Sequence, residues 1–291
     1  MYDRQIRLFG EAGQKILQEL TVGIVGLGGI GSCVFVWLVR LGIGRIIAID
    51  HDTVELSNLN RLAGSTLVDA EERTPKVKML KDYAGQINPH TQITAIQESI
   101  CEENATDRLK PCDAFFGCTD NESSRWRLNK FSTEHLIAYF DTGTGIQANA
   151  EQNIEHAGGQ VRIVIPGMGC LNCINGIAID IAQQEMLPEP DRQVAIDRSY
   201  IDGADVHAPS VGPLNGVIAS LAVTEFMAFT TGFKPLQRYV FYDLLKARVV
   251  GLNFDRDPNC FTCSSAGSFG IGDHGMTLPV DMLPKLNEIH S

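Results

Sequence analysis

The chain has 291 residues, of which 44% are hydrophobic, and a formal net charge of −11. A chain of this length and composition can bury the core of one large α/β domain. Its acidic charge and its lack of any lysine or arginine run argue against a surface that tracks nucleic-acid phosphates. Nucleic acid is therefore not expected as a partner.

The N-terminal half of the sequence predicts helices that alternate with strands. Residues 2–20 are expected to be helical. Short apolar runs of β-forming residues then predict five strands, at 21–25, 45–49, 92–97, 113–117 and 137–141. Strands separated by helices form parallel sheets. The predicted fold class is therefore α/β, with a Rossmann-like doubly wound sheet.

The C-terminal half predicts fewer and differently patterned elements. Strands are expected at 160–165, 239–243 and 246–254, and helices at 174–186 and 211–231. Alternation in two of these strands indicates antiparallel pairing with one exposed face, which makes the sheet mixed. The long apolar helix at 211–231 is interrupted by polar residues, so it predicts a buried helix and not a membrane span.

A glycine-rich turn follows the first predicted strand. Its glycines are Gly26, Gly28, Gly29 and Gly31. Glycine is needed where the backbone turns tightly and approaches a phosphate, while the N-terminus of the next helix faces the anion. A plain strand-to-helix turn is the alternative. A P-loop is excluded, because Ser32 stands where that motif requires lysine.

Acidic, amide and basic residues follow the second strand. Asp50 lies about twenty residues past the last glycine, where a Rossmann unit places its ribose-binding carboxylate. The residues after it are Asp52, Asn58, Asn60, Arg61 and Lys76. Such cations and amides are expected where charge develops as pyrophosphate departs. An NAD-type oxidoreductase on the same fold stays open, although it has little use for several cations at phosphates it does not break.

The sequence Cys118-Thr119-Asp120-Asn121 follows the apolar strand at 113–117. Open parallel sheets bind ligands at the carboxyl ends of their strands. Because Mg²⁺ is commonly held by one or two carboxylates together with phosphate oxygens, Asp120 is a candidate magnesium ligand. The alternative is that Asp120 and Asn121 only cap the following helix.

Four of the eight cysteines form two CxxC pairs. They are Cys170, Cys173, Cys260 and Cys263. Such pairs supply Zn²⁺ with tetrahedral thiolates; a redox CxxC and disulfides are the alternatives. No signal peptide is apparent, so we expect a cytoplasmic location, where thiols stay reduced. The other cysteines, expected to be buried and inert, are Cys33, Cys101, Cys112 and Cys118.

Taken in order, these motifs resemble the E1-like adenylating enzymes, the relatives of ThiF, MoeB and the ubiquitin-activating enzymes. The resemblance extends from Tyr2 to Cys263. Its motifs are YDRQIRLFG at 2–10, the GxGGxG turn, DxDxVxxSNLNR at 50–61, PKV at 75–77, INP at 87–89, CTDN at 118–121 and the two CxxC pairs. No single motif would be specific, but the series is.

The resemblance implies Mg-ATP-dependent adenylation of the C-terminal carboxylate of a ubiquitin-like or sulfur-carrier protein with a Gly-Gly tail. The residues it assigns to ATP are Gly26, Gly28, Gly29, Gly31, Asp50, Asp52, Asn58, Asn60, Arg61, Lys76, Asp120 and Asn121. Arg61, Lys76 and Asp120 would be catalytic, with Mg²⁺ on Asp120. Arg4 would reach across a homodimer interface into the neighbouring site; an ordinary surface arginine is its alternative.

The resemblance also sets the expected organisation of the chain. Residues 1–263 form one E1-type adenylation domain with a structural zinc site, a nucleotide half at about 1–141 and a partner-binding half at about 142–263. Residues 264–291 are expected to be a linker and C-terminal arm. Some family members keep a nucleophilic cysteine between the CxxC pairs, but residues 187–212 hold Ser199, His207 and Ser210 and no cysteine.

We therefore expect the activated carboxylate to pass to an external acceptor without a thioester at 187–212. His207 is a tempting base, but a histidine beside Pro209 is more often an ordinary loop residue. Adenylation of a peptide or tRNA-linked carboxylate remains an alternative substrate. A non-catalytic scaffold is a further alternative, although a scaffold has no need to keep Arg61, Lys76 and Asp120 together.

Overall fold

A computed structural model describes residues 1–149, 151, 153–187 and 210–273. The helices are α1 Asp3–Glu19, α2 Gly29–Leu41, α3 Leu67–Glu71, α4 Lys76–Ile87, α5 Glu122–His135, α6 Ile179–Glu185 and α7 Gly212–Thr231. The strands are β1 Thr21–Val25, β2 Arg45–Ile49, β3 Gln92–Ile96, β4 Ala114–Gly117, β5 Ala138–Ala148, β6 Ile154–Val164, β7 Tyr239–Asp243 and β8 Arg248–Leu252.

The eight strands form one mixed sheet in the order β3-β2-β1-β4-β5-β6-β7-β8. The first five strands are parallel, whereas β5 to β8 are joined by antiparallel pairings. The predicted fold class is confirmed, with its parallel nucleotide half and its antiparallel extension.

Four predicted segments differ from the structure, and one of them is the strand expected at 160–165, which begins at Ile154. Strand β5 was expected at 137–141, but it continues through Gly143-Thr144-Gly145 because it pairs with β6 as far as Ala148. Glycine is unfavourable in the interior of a strand, and for this reason the sequence pattern does not predict a strand beyond Asp141. The helix expected at 174–186 is a short 3₁₀ turn, Leu171–Ile174, followed by α6. Helix α1 is interrupted at Gly10, whose φ is 77°.

Residues 264–273, expected as a linker, pack against the domain. The Ser268 N–H donates to the Thr262 carbonyl at 2.9 Å, and the Gly270 N–H donates to the Thr133 carbonyl at 2.9 Å. The predicted C-terminal arm beyond 273 lies outside the described residues. Ser199 and His207 lie outside them as well.

The sheet is covered on both faces, which explains its near-continuous apolar strands. One face carries α2 and α7, and Phe116 and Phe140 point into that core. The other face carries α5, where Phe115 stacks on Tyr139 with ring centroids 4.9 Å apart. By length and composition alone α7 could cross a membrane. Its packing against α2, β5 and β6 instead makes it a core helix.

A buried ion cluster joins the two halves of the sheet. Asp141 on β5 is fully buried and accepts hydrogen bonds from Arg125 of α5, at 2.9 and 3.0 Å, and from Arg162 of β6, at 2.6 and 2.8 Å. The Tyr139 hydroxyl donates to it at 2.9 Å. The carboxylate is therefore saturated, as a buried charge must be to remain in the interior.

Replacing Asp141 with alanine should cost about 3–5 kcal/mol in the free energy of unfolding, because it leaves the buried Arg162 guanidinium with no counter-ion among the described residues and Arg125 with Glu122 alone. Tyr139→Phe should cost only about 1 kcal/mol, since it removes one hydrogen bond. Urea denaturation followed by circular dichroism measures both, with the exposed Asp180→Ala as control. Equal effects for Asp141→Ala and Asp180→Ala would contradict this account.

Candidate functional site

Three predicted segments meet at one edge of the sheet. Strand β1 lies between β2 and β4, and all three run in the same direction. Gly26, Asp50 and Cys118 follow the carboxyl ends of these strands. Backbone bonds keep them in register: the Gly26 N–H donates to Ile49 and the Cys118 N–H donates to Val25, at 2.9 and 2.8 Å. The glycine turn, the acidic residue and the CTDN segment therefore belong to one site.

The glycine turn is as tight as the sequence predicts. Gly26 has a φ of 83°, in the left-handed region that favours glycine. A Cβ on Gly31 would lie 1.9 Å from the Gly26 carbonyl oxygen, so this glycine lets α2 approach the turn. Gly28 precedes α2 without a side-chain cap, and a Cβ there would meet no described atom within 4 Å. The first N–H groups of α2 remain available to an anion.

Asp50 also has a structural role that the sequence did not reveal. Its carboxylate accepts hydrogen bonds from the N–H groups of Leu27, within the turn, and of Asp52, at 2.5 and 2.8 Å. Burial raises the pKa of Asp50, and Lys76 and the two N–H bonds offset part of that rise. The acid expected to bind ribose therefore also holds the glycine turn in shape.

Lys76 is held by Asp52 in the loop that follows β2. It begins α4, and its Nζ lies 2.7 Å from Asp52, with 10% of the lysine side chain exposed against 49% of the aspartate. The Lys76 N–H also donates to the Asp52 carbonyl at 3.0 Å. Asp52 thus orients Lys76, and an ammonium with three donors keeps capacity for a further anion.

The SNLNR segment forms a turn that presents Arg61 to the glycines. Arg61 donates to the Ser57 carbonyl at 2.6 Å and to the Asn60 side chain at 3.1 Å. Its Cδ would lie 3.5 Å from a Cβ on Gly29. Asn58 accepts the Glu55 N–H at 3.3 Å. In this structure Asn58 and Asn60 shape the loop, and Arg61 lies against the helix end.

Asp120 and Asn121 behave differently. Asn121 caps α5, since its side chain accepts the Ser124 N–H at 2.8 Å. Asp120 is exposed and forms no hydrogen bond or ion pair within the part of the chain that the structure describes. The helix-cap interpretation is therefore correct for Asn121, while Asp120 is free to bind a cation.

Arg4 lies on the first turn of α1 and is exposed. Among the described residues it forms neither an ion pair nor a side-chain hydrogen bond. The neighbouring Arg7 differs, because it pairs with Asp3 at 2.8 Å. A role for Arg4 in the site of a second subunit remains a prediction.

Sequence reasoning missed two residues that border the glycine turn. Asn215 of α7 is 1% exposed, and its Nδ2 would lie 2.0 Å from a Cβ on Gly29. The Ser32 hydroxyl accepts the Ala63 N–H at 3.0 Å and ties α2 to the chain after Arg61. The only available signal for Asn215 was an amide within an otherwise apolar helix.

The CxxC pairs come together on the α5 face. Cys170 and Cys260 have their sulfur atoms 3.7 Å apart, and those of Cys173 and Cys263 are 3.4 Å apart. All four lie within 4.8 Å of one another. Zn–S bonds of 2.3 Å in a tetrahedron put sulfurs roughly 3.8 Å apart. This spacing suits a zinc ion and is far longer than a disulfide bond.

The fold and this site define a nucleotide-binding enzyme with a closed four-cysteine cluster. The chain belongs to the ThiF family, whose model matches residues 2–262. The resemblance to E1-like enzymes and the prediction of an adenylyltransferase are therefore confirmed.

Named relatives agree with this assignment. Molybdopterin-synthase adenylyltransferase of Escherichia coli is 29% identical, over 90% of this chain and 95% of the relative. The Escherichia coli sulfur carrier protein ThiS adenylyltransferase is 27% identical, over 92% and 96%. Ubiquitin-like modifier-activating enzyme 5 of Drosophila willistoni is 27% identical, but this chain spans 57% of it. The fold matches Escherichia coli MccB with ATP at a TM-score of 0.71 and 21% identity, over 90% of this chain and 74% of MccB.

Purified protein should contain one zinc ion per chain, released by a mercurial that modifies the four thiols. Cys260→Ser should lower the zinc content and the melting temperature, because a structural zinc site contributes folding energy. Cys112→Ser, another buried cysteine outside the cluster, is the matched control. Full stability with no bound metal would contradict a structural zinc site.

Proposed function

We propose that this protein binds Mg-ATP and adenylates the C-terminal carboxylate of a ubiquitin-like or sulfur-carrier protein with a Gly-Gly tail. The observation that carries the proposal is the convergence of the glycine turn, Arg61, Lys76 and a free Asp120 at one edge of the sheet. The adenylyltransferase names of the two full-length relatives support it.

The proposed reaction brings two anions together. A carboxylate oxygen of the partner bonds to the α-phosphorus of ATP, the bond from that phosphorus to the bridging oxygen breaks, and pyrophosphate leaves with the electron pair. Lys76 and Arg61 would neutralise the phosphates, and the N–H groups at the start of α2 would hold one of them. Asp120 would hold Mg²⁺, which supplies Lewis-acid stabilisation of phosphoryl charge.

The face of strands β5 to β8 that is turned away from α7 offers a path for the partner's tail. On this face Gly143 and Gly145 have open space where a Cβ would stand. Gly143 lies two residues past Asp141, which pairs with Gly117, the last residue of β4. The two glycines therefore begin roughly 7 Å beyond the end of β4, the strand that leads to Asp120. An extended Gly-Gly tail fits against a stretch of strand whose glycines leave this face free of side chains.

The same face offers an apolar surface further from the site. Phe241 of β7 and Leu252 of β8 are 37% and 40% exposed, and Val250 pairs directly with Phe241. We propose that the folded part of the partner docks on this hairpin while its tail follows Gly143 and Gly145. Exposed apolar residues grouped on a sheet face commonly mark protein-binding surfaces.

Three of the four cysteines outside the cluster favour transfer to an external acceptor; the fourth, Cys101, is half-buried beside the hydroxyls of Ser123 and Ser124. Burial raises the pKa of both Cys112 and Cys118 to about 12, so neither is a thiolate near neutral pH. Burial also raises the pKa of Cys33. The segment at 187–212 contains no cysteine. The proposal therefore ends at the acyl-adenylate, which an acceptor outside this chain attacks.

A homodimer and a cytoplasmic location complete the proposal. Helix α7 is apolar around most of its circumference, which is typical of a helix covered on all sides. Its outer side nevertheless forms an open groove with Trp37 of α2, lined by Pro213, Val217 and Leu221. A second copy would cover it. A four-thiolate zinc site needs reduced cysteines, as the cytoplasm provides.

Asp120→Ala should reduce Mg-dependent ATP–pyrophosphate exchange by at least about 100-fold, as expected when a main electrostatic group of a transition state is removed. Exchange is measured with small proteins ending in Gly-Gly, and with a free peptide and a tRNA that carries a free carboxylate on a modified nucleoside as competing substrate classes. Asp180→Ala is the control, because Asp180 is also exposed but lies on α6. Undiminished exchange in Asp120→Ala would remove this residue from the mechanism.

Mixing Arg4→Ala and Asp120→Ala chains should restore part of the exchange activity that each variant lacks. If Arg4 acts in the neighbouring subunit, a mixed dimer contains one site with both residues intact. Subunits are exchanged in mild denaturant, refolded and assayed, and sedimentation confirms the dimer. A mixed dimer with no more activity than the two variants alone would contradict a role for Arg4 across the interface.

A further inference from the structure

Asn215 is a polar side chain in an unusual place. It lies near the start of α7, a helix whose other core residues there are Leu214 and Ile218, and it is 1% exposed. Burying an amide costs free energy unless its hydrogen bonds are satisfied. The other buried polar residue of α7, Glu225, is satisfied fully, because Lys234 and the Gln237 N–H bind its two oxygens at 2.6 to 3.0 Å.

The hydrogen bonds that Asn215 forms do not use all of its donors. Its Nδ2 donates to the Ser210 hydroxyl at 3.0 Å, and its Oδ1 accepts from the Thr144 hydroxyl at 3.3 Å. A side-chain amide has two N–H donors. Within the described part of the chain, one donor of Asn215 has no hydrogen-bond acceptor.

The Nδ2 atom lies at the glycine turn. It would be 2.0 Å from a Cβ on Gly29, closer than any other described atom, and Arg61 Cδ follows at 3.5 Å. Gly29 is the first residue of α2, where backbone N–H groups are free. Helix α7 also begins here, without a side-chain cap and with Gly212 beside the Asn60 carbonyl. An amide donor and the Arg61 side chain thus lie at the N-terminus of α2, and the N-terminus of α7 lies against the loop that carries Arg61.

We propose that Asn215 is a further nucleotide-binding residue, whose free N–H donates to a phosphate oxygen of ATP at the start of α2. This inference rests on the proposed function, since it requires a nucleotide phosphate at the glycine turn. It adds a contact from α7 to those from α2, the SNLNR loop and Lys76. Because an amide is neutral, Asn215 provides a donor to a negative charge without adding to the local positive charge.

The test compares binding of Mg-ATP, Mg-ADP, AMP and adenosine to wild type and variants by calorimetry. Asn215→Asp keeps the shape but sets a carboxylate against the phosphates. It should weaken Mg-ATP on the order of 10-fold or more while adenosine affinity stays within about twofold, as expected for a lost hydrogen bond to a charged group. Asn215→Ala should show the same selectivity with a smaller loss.

Asn129→Asp is the matched control, because Asn129 is equally buried but lies on α5, where its oxygen accepts the Leu171 N–H at 2.9 Å. It should leave the ratio of ATP to adenosine affinity unchanged. Circular dichroism and melting temperature establish folding, and if Asn215→Asp does not fold, Asn215→Ala and Asn215→Ser decide the question.

A purely structural Asn215 would lower the affinity for all four ligands by one factor, which overturns the inference while leaving the proposed function intact. A wild-type protein that binds adenosine no more weakly than Mg-ATP, and that exchanges no pyrophosphate, overturns both.

Discussion

The buried carboxylate of Asp50 is the interaction on which the site depends. It receives one N–H from Leu27 in the glycine turn and one from Asp52 in the next loop, while Lys76 lies within electrostatic reach. The turn and the loop after β2 are therefore fixed relative to each other by this side chain, and Asp52 in turn ties the start of α4 to that loop. Burial opposes the ionised form of Asp50, and these partners are what keep that form accessible.

A second interaction, the buried ion cluster at Asp141, joins the C-terminal half of the sheet to the nucleotide half. Asp141 lies on β5, where the sheet changes from parallel to antiparallel, and it binds arginines from α5 and β6. Arg162 also donates to the Gly176 carbonyl at 2.8 Å, just past the first CxxC pair. The Asp141 cluster and the cysteine cluster thus act on the same connection. Together they fix the N-terminal part of α5, the helix that begins two residues after Asp120.

Much of the fold follows from the sequence because apolar runs and turn residues are local signals. The strands at 21–25 and 45–49 and the helix after the glycine turn are each encoded by adjacent residues, and the structure has them at those positions. The extension of β5 through Gly143 and Gly145 is not local. It exists because β6 pairs with it, and no propensity of those residues predicts that.

The site was predictable in part for the same reason. The sequence predicts Asp50 and Asp120 after the carboxyl ends of parallel strands, and in the structure they follow β2 and β4 on either side of β1. Asn121 caps α5, and its role in nucleotide binding stays a prediction, because asparagine both caps helices and binds ligands. Asn215 is far from the glycines in sequence. Only the packing of α7 on α2 brings it to Gly29.

The chemistry of the remaining thiols bears on where the proposed reaction ends. A thioester requires a thiolate nucleophile, and thiolates form where nearby positive charge or a helix N-terminus lowers the pKa of a cysteine. Cys118 lies at the sheet edge beside the glycine turn, yet burial and the negative charge of Asp141 raise its pKa. Its carbonyl also lies against Gly26, where it closes the turn. A residue held in this way supports the shape of the glycine turn, and an acyl group attached to it would have to displace that turn.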